Sequence, residues 1–283
     1  MKNDIAEYIK RCPKCFTVNP KLSKEAPALN SIHVPEKIWS LVGIDIIGPL
    51  HESSLGNKYI VAATDHFSKW SEAAAIADKS AKSVADFLYC IICRLGCMDT
   101  VISDQGREFV NEVVDTLMER FQTDHRITSA YHPQSNGQRE RDNRTLKTAL
   151  CKLVNEQGDD WDLYIPGVLF AYHTTIHSST KCTPFEVMYG RPCKLPVLAI
   201  SSTAPVTADS ECINPAVLEN LISMRKDLCL KVSSNITAAQ HRQKEHYDRR
   251  HDGHKVIPVD STVYIKNSKR VHRMGSKMEP RWI

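Results

Sequence analysis

VISDQGREFV at positions 101–110 and YHPQSNGQRERDNRTL at 131–146 decide how this chain is read. The first is a short apolar run cut off by Asp104-Gln105-Gly106, the pattern of a buried strand followed by a tight turn. The second opens with Pro133 and the turn pair Asn136-Gly137, which exclude a helix there. It then passes into a polar and apolar mixture that predicts a helix over 138–156. An acidic residue stands at each junction: Asp104 where the strand ends, and Glu140 in the first turn of the helix, with 35 residues between them. A third acid, Asp45, lies in GIDIIGPL (43–50), in a strand that Gly48-Pro49 stops.

Further elements follow on either side. Strands are expected at Trp39–Ile47, Lys58–Thr64, Ser71–Ile76, Thr100–Ser103 and His125–Ser129, with Gly56-Asn57 as a hairpin signal between the first two. Helices are expected at Ala81–Leu95, from the spacing of Val84, Phe87, Leu88, Ile91 and Leu95, and at Asn111–Phe121. Residues 161–195 read as a helix pair, and Asn214–Arg250 as a long helix without an internal proline. Residues 255–266 alternate like short strands.

Taken singly, each acid has an ordinary explanation. Asp before a Gly turn is common, and Glu in a first helical turn favours the helix dipole. Three carboxylates from separate elements, converging at one sheet edge, would instead suit hard divalent ions. Mg²⁺ takes oxygen ligands, and a pair of ions can activate an attacking oxygen and stabilise a leaving one.

These motifs, with their spacing, resemble the D,D-35-E catalytic core of integrases, and the wording is closest to Ty3/gypsy-type retrotransposon integrases, as a truncated or host-domesticated copy. The resemblance runs over roughly residues 4 to 281. It implies an α/β, ribonuclease H-like integrase core, with a partial N-terminal zinc-module remnant and a partial C-terminal β module. The implied organisation is a zinc-module remnant at 1–20, a linker at 21–38, the core at 39–195, a helical extension at 196–250 and a basic DNA-binding segment at 251–283. It further implies metal-dependent polynucleotidyl transfer on DNA. Asp45 and Asp104 would hold one Mg²⁺ or Mn²⁺ ion, and Asp45 with Glu140 a second. Asp65 competes for the role of first carboxylate, but the family's ligand matches Asp45, and Asp65 is expected to be structural. Arg144 and Lys147, at i+4 and i+7 from Glu140, would face DNA phosphates, as would Gln134 and Asn136 in the loop that matches the family's HPQ-T-D-G-Q motif. Ser135-Asn136 and Arg139 depart from that motif without touching the carboxylate.

Cys12-x-x-Cys15 matches half of the family's His-His-Cys-Cys module, and no His precedes His33, so zinc is not expected unless a longer form or another chain completes the site. Cys90-x-x-Cys93 lies in an apolar helix and reads as buried thiols. His173 and His177 have ligand spacing but no HExxH context, and read as structural.

Composition is that of a globular protein, with 42% hydrophobic and 25% charged residues. No apolar run reaches the roughly 18 residues of a membrane span, and the N-terminus lacks a signal-peptide core. Residues 241–283 hold eleven Lys or Arg against five Asp or Glu, a balance of +6, so the other 240 residues carry −2 of the net +4. That tail suits a phosphate backbone. DNA and further copies of the chain are the expected partners, with no membrane or small-molecule substrate, and the nucleus, with the cytoplasm as a second place, is the expected site of action. Two other readings remain open: a catalytically silent, domesticated DNA-binding protein, and a plain ribonuclease H-like nuclease.

Overall fold

The computed structural model describes residues 4, 5, 7, 8, 12, 33–128, 143–195 and 215–250. One compact unit takes in residues 31–242, and residues 1–30 with 243–283 fall in another. The first unit carries a five-stranded mixed sheet in the order β3-β2-β1-β4-β5: β1 (Leu41–Ile47), β2 (Tyr59–Asp65), β3 (Ser71–Ile76), β4 (Thr100–Ser103) and β5 (Asp124–Ile127). β1, β2 and β3 pair antiparallel, whereas β4 runs parallel to β1, and β5 parallel to β4. This is the ribonuclease H-like α/β arrangement expected from the sequence, and the five strands predicted between residues 39 and 129 are found within two residues of their places; the strands expected at 255–266 lie outside the described residues.

Alternation along the strands builds two cores. On β2, Ile60 faces one layer and its neighbour Val61 the other. Val42, Ile44, Val61 and Val101 pack against α1 (Ala81–Leu95) and α2 (Glu112–Arg120) through Phe87, Leu88, Ile91 and Val114. Each such side chain contributes about 1.5–3 kcal/mol when fully buried. The opposite layer joins Ile60 to Leu146 and Leu150 of helix α3, described over 143–150, and to Ile165 and Val168 of α4 (Ile165–Thr174). A 3₁₀ turn, Trp161–Tyr164, precedes α4. Alternation therefore sends Asp45, between Ile44 and Ile46, towards the face that α3 covers.

Local chemistry sets the helix ends. Ser80 caps α1 by accepting the Ser83 N–H, and Asn111 caps α2 by accepting the Val114 N–H. Thr183 and Glu186 form a reciprocal capping box on α5 (Pro184–Tyr189). The long α6 (Pro215–Arg250) lays Val232 and Ile236 against Phe67, Cys182 and Val187, and Asn235 donates to the Thr180 carbonyl across 2.8 Å. None of the helices in the described residues is long and apolar enough to cross a membrane.

Two readings of the sequence meet the structure directly here. Cys90 and Cys93 are exposed rather than buried. The buried stripe of α1 is Val84, Ala85, Phe87, Leu88, Ile91 and Ile92. At 100° per residue, Cys93 lies 200° round the helix from Ile91, on the solvent side. His173 is structural, as expected. It is buried in α4, stacked on Trp70 at 3.6 Å between ring centroids, and its Nε2 donates to the Ser71 carbonyl across 2.8 Å. His177 turns instead to the Ser179 hydroxyl, 2.9 Å away.

Candidate active site

The parallel pairing of β1 and β4 runs Asp45 and Asp104 in the same direction from the sheet. The paired positions are Leu41 with Thr100, Val42 with Val101 and Gly43 with Ile102. β4 ends at Ser103, and the same register continued two residues further would bring Asp104 alongside Asp45, on neighbouring chains about 4.8 Å apart. Both carboxylates are half-buried. They sit where the two parallel strands end, the edge at which open α/β sheets bind ligands.

Each carboxylate is held by neutral donors. Asp45 Oδ1 accepts its neighbour's N–H, from Ile46, at 2.9 Å. Asp45 Oδ2 accepts the Asn143 side-chain amide at 2.6 Å. Asp104 Oδ1 accepts the Gly106 N–H at 2.9 Å. A side chain at position 106 would press on both neighbouring carboxylates: a Cβ there would lie 2.8 Å from Glu108 Cδ and 3.0 Å from Asp104 Oδ1. Glu108 is drawn aside by Lys79, whose Nζ lies 3.6 Å from Oε1. Behind Asp104, the buried Ser103 hydroxyl donates to the Asp104 carbonyl at 2.9 Å and lies 2.8 Å from His125 Nε2. Asn143, Gly106 and Glu108 were not singled out by sequence reading. The only signal for Asn143 was its place three residues after Glu140, one turn along the expected helix.

Arg144 and Lys147 are exposed on α3, beside Asn143. Lys147 also borders an apolar cavity of about 280 Å³ between the end of β1 and α3, lined in part by Ile47, His51 and Leu150. Glu140, Gln134, Asn136 and Cys15 lie outside the described residues. Cys12 is half-buried. Among the described residues no three His, Cys, Asp or Glu side chains meet as a metal cluster. Asp45 and Asp104 would offer hard oxygen donors. That donor set fits Mg²⁺ or Mn²⁺ and does not suit a soft ion.

Asp65 is structural. It pairs with Val42, three residues before Asp45 and so about 10 Å back along β1. It is fully buried and ties the β2–β3 turn, accepting the Ser68 N–H at 2.8 Å and the Phe67 N–H at 3.3 Å. Burial pushes its carboxyl above the usual carboxylate range, against the pull of the bonds from Ser68.

Residues 36–133 match the family described as "Integrase core domain". Over 197 residues the chain is 31% identical to the retrovirus-related Pol polyprotein from transposon 412 of Drosophila melanogaster, covering 69% of this chain and 16% of that protein. Over 189 residues it is 31% identical to gypsy retrotransposon integrase-like protein 1 of Bos taurus, covering 67% of this chain and 37% of that protein. The chain thus spans well under half of either relative. Among solved structures, it is similar to a chain of the simian T-cell lymphotropic virus intasome in complex with PP2A regulatory subunit B56 gamma. The TM-score is 0.51 at 16% identity, over 76% of this chain and 71% of that one, a likeness of fold.

Proposed function

The chain belongs to the retrotransposon integrase superfamily through the integrase core domain of residues 36–133, and on that premise we propose that it performs metal-dependent phosphoryl transfer on DNA, as an integrase-type polynucleotidyl transferase. The observation that supports the reading is the bond by which Asn143 of α3 holds Asp45, beside a β1–β4 register that, continued past Gly43 and Ile102, would bring Asp104 alongside it. Glu140, three residues before Asn143, is proposed as the third carboxylate.

Asp45, Asp104 and Glu140 would hold Mg²⁺ or Mn²⁺, as two ions. When bound, such ions supply Lewis acidity to the attacking oxygen and offset charge on the phosphate. The chain's own residues do the rest. Asn143 fixes the Asp45 carboxylate by bonding one oxygen, so that it is oriented before substrate arrives. The Gly106 N–H does the same for Asp104, and the missing side chain at 106 keeps its approach open. Arg144 and Lys147 would neutralise phosphates on either side of the reacting bond, with Gln134 and Asn136 contacting the strand from the preceding loop. The nucleophile would be a DNA 3′-hydroxyl in joining, or water in end processing. Action as a multimer on chromosomal DNA, in the nucleus, belongs to the same proposal. Zinc at Cys12 and Cys15 does not.

The test is a strand-transfer assay on labelled duplex DNA with Mg²⁺ or Mn²⁺, comparing the intact chain with Glu140→Gln and Asp104→Asn. Joined products that disappear in both variants support the proposal. Cleavage without joining, lost in the same variants, would assign a plain nuclease. Binding to DNA with no turnover in any protein would assign a catalytically silent descendant.

A further inference from the structure

Helix α1 carries an anomaly that catalysis does not use. Cysteine is among the residue types most often buried, yet Cys90, Cys93 and Cys97, within eight residues, are all exposed with free thiols. Ile91 and Ile92, between the first two, are buried. Cys90 and Cys93 therefore ride on the solvent face of a helix whose other face is anchored in the core, and Cys97 follows just past its end.

Cys90 and Cys93 are one turn apart, a spacing that puts their Cβ atoms about 5–6 Å from each other. A disulfide needs about 3.5–4.5 Å, so an S–S bond would have to bend the helix. Two sulfurs on one metal ion, each at about 2.3 Å, stand up to roughly 4.6 Å apart. Side-chain rotation spans that distance with the helix intact. The number of donors then selects the metal. No third His, Cys, Asp or Glu joins the pair among the described residues. Tetrahedral Zn²⁺ would want four ligands, and hard ions prefer oxygen. Thiolate pairs select soft ions, Cu(I) above all.

The surroundings favour the same occupant. Tyr89 lies one turn before Cys93, the nearby thiols push its phenol's ionisation up, and its ring leans on Phe121 at 6.2 Å between centroids. A hydroxyl in that position would be available to donate to a metal-bound thiolate. Arg94, the cation next to Cys93, is engaged with Glu72 at 2.8 Å and leaves the thiols clear.

We propose that Cys90 and Cys93 form a dithiol clamp for a soft, two-coordinate metal ion of the Cu(I) type, with Tyr89 supporting the Cys93 sulfur. Binding exchanges two thiol protons for one Cu(I), leaving a bis-thiolate complex of charge −1 and two protons in solution, with no change of oxidation state. The clamp shares no residue with the Asp45–Asp104 site.

The experiment is an anaerobic competition between the reduced full chain and a chromophoric Cu(I) chelator. The chain has ten cysteines, so the readout is the difference between variants. The intact chain should withdraw one equivalent more than Cys90→Ser/Cys93→Ser, each single serine variant should bind at least tenfold more weakly, and Cys97→Ser should match the intact chain. These are surface changes, and unchanged circular dichroism would certify the fold. X-ray absorption of the difference site should give two sulfur neighbours. Equal withdrawal by the double serine variant, an equal loss in Cys97→Ser, or three or more sulfurs on the metal would each overturn the clamp.

Discussion

Asn143 donates its side-chain amide to Asp45 Oδ2 across 2.6 Å, joining helix α3 to the central strand of the sheet. The bond spans 98 positions in sequence and fixes which way a half-buried carboxylate points. Asn143→Ala should therefore lower activity by about 10–100-fold and raise the Mg²⁺ concentration needed for half-maximal rate, the usual cost of losing such an outer partner. Thermal stability should fall by only about 1 kcal/mol, one hydrogen bond's worth. Metal titration of the strand-transfer rate, beside a melting curve, checks the split.

Gly106 is a steric requirement with a defined remedy. Gly106→Ala puts a methyl 2.8 Å from Glu108 Cδ and 3.0 Å from Asp104 Oδ1. A shift of a few tenths of an ångström in Asp104 should cost roughly tenfold in activity, since about 1 Å of misplacement can cost 100-fold. Adding Glu108→Ala removes the nearer obstacle and should restore part of the rate. If the double variant is no faster than Gly106→Ala, the obstacle lies elsewhere.

Asp45 and Asp65 should separate activity from stability. Asp45→Asn should abolish strand transfer, by at least about 100-fold, with little change in melting temperature, because it removes a ligand charge. Asp65→Asn places an amide where the carboxylate accepts bonds from Phe67 and Ser68. It should destabilise the fold by about 1–3 kcal/mol while retaining activity well below its melting point. The reverse pattern would exchange their roles.

His173 sets an acid limit on stability. Burial holds its imidazole below the ordinary histidine value, only partly countered by the Ser71 carbonyl and Glu72. The unfolded chain, with a histidine near 6.5, then takes up the proton first. Stability contributed here is complete above about pH 6.5 and is lost as pH falls from there through the depressed folded value. Glu72 lies beside the ring, and Tyr172 and Tyr189 border the stack. His173→Gln should be less stable at neutral pH and show a flatter melting temperature between pH 6.5 and 5. Parallel slopes for the two proteins would remove His173 from the account.

Much of this was legible in the chain because strand alternation and turn residues are local signals. GIDIIGPL and VISDQG each end an apolar run in an acid and a breaker, so Asp45, Asp104 and their strands could be placed before any contact was known. Asn143 could not. Its importance lies in a partner 98 residues away, and locally it reads as a glycosylation acceptor in Asn143-Arg144-Thr145. Gly106 looked like turn grammar, whereas its lack of a side chain matters for the two carboxylates beside it. The thiols of α1 were misplaced because the helix was judged by its average hydrophobicity. Phasing Cys93 against Ile91 at 100° per residue would have turned it outward.

The parallel register of β1 and β4 makes the site sensitive to length more than to spelling. Shifting a strand by one residue flips every later side chain to the other face of the sheet. A single-codon deletion within 41–44 would turn the position of Asp45 from the α3 face to the α1 face. It would leave composition, hydrophobicity and strand propensity almost untouched. The same deletion in the loop at 48–58, between β1 and β2, changes neither strand's phase at the site. Reading-frame-preserving gains and losses of residues should therefore be tolerated in that loop and rejected in the few positions that count out the distance to each aspartate.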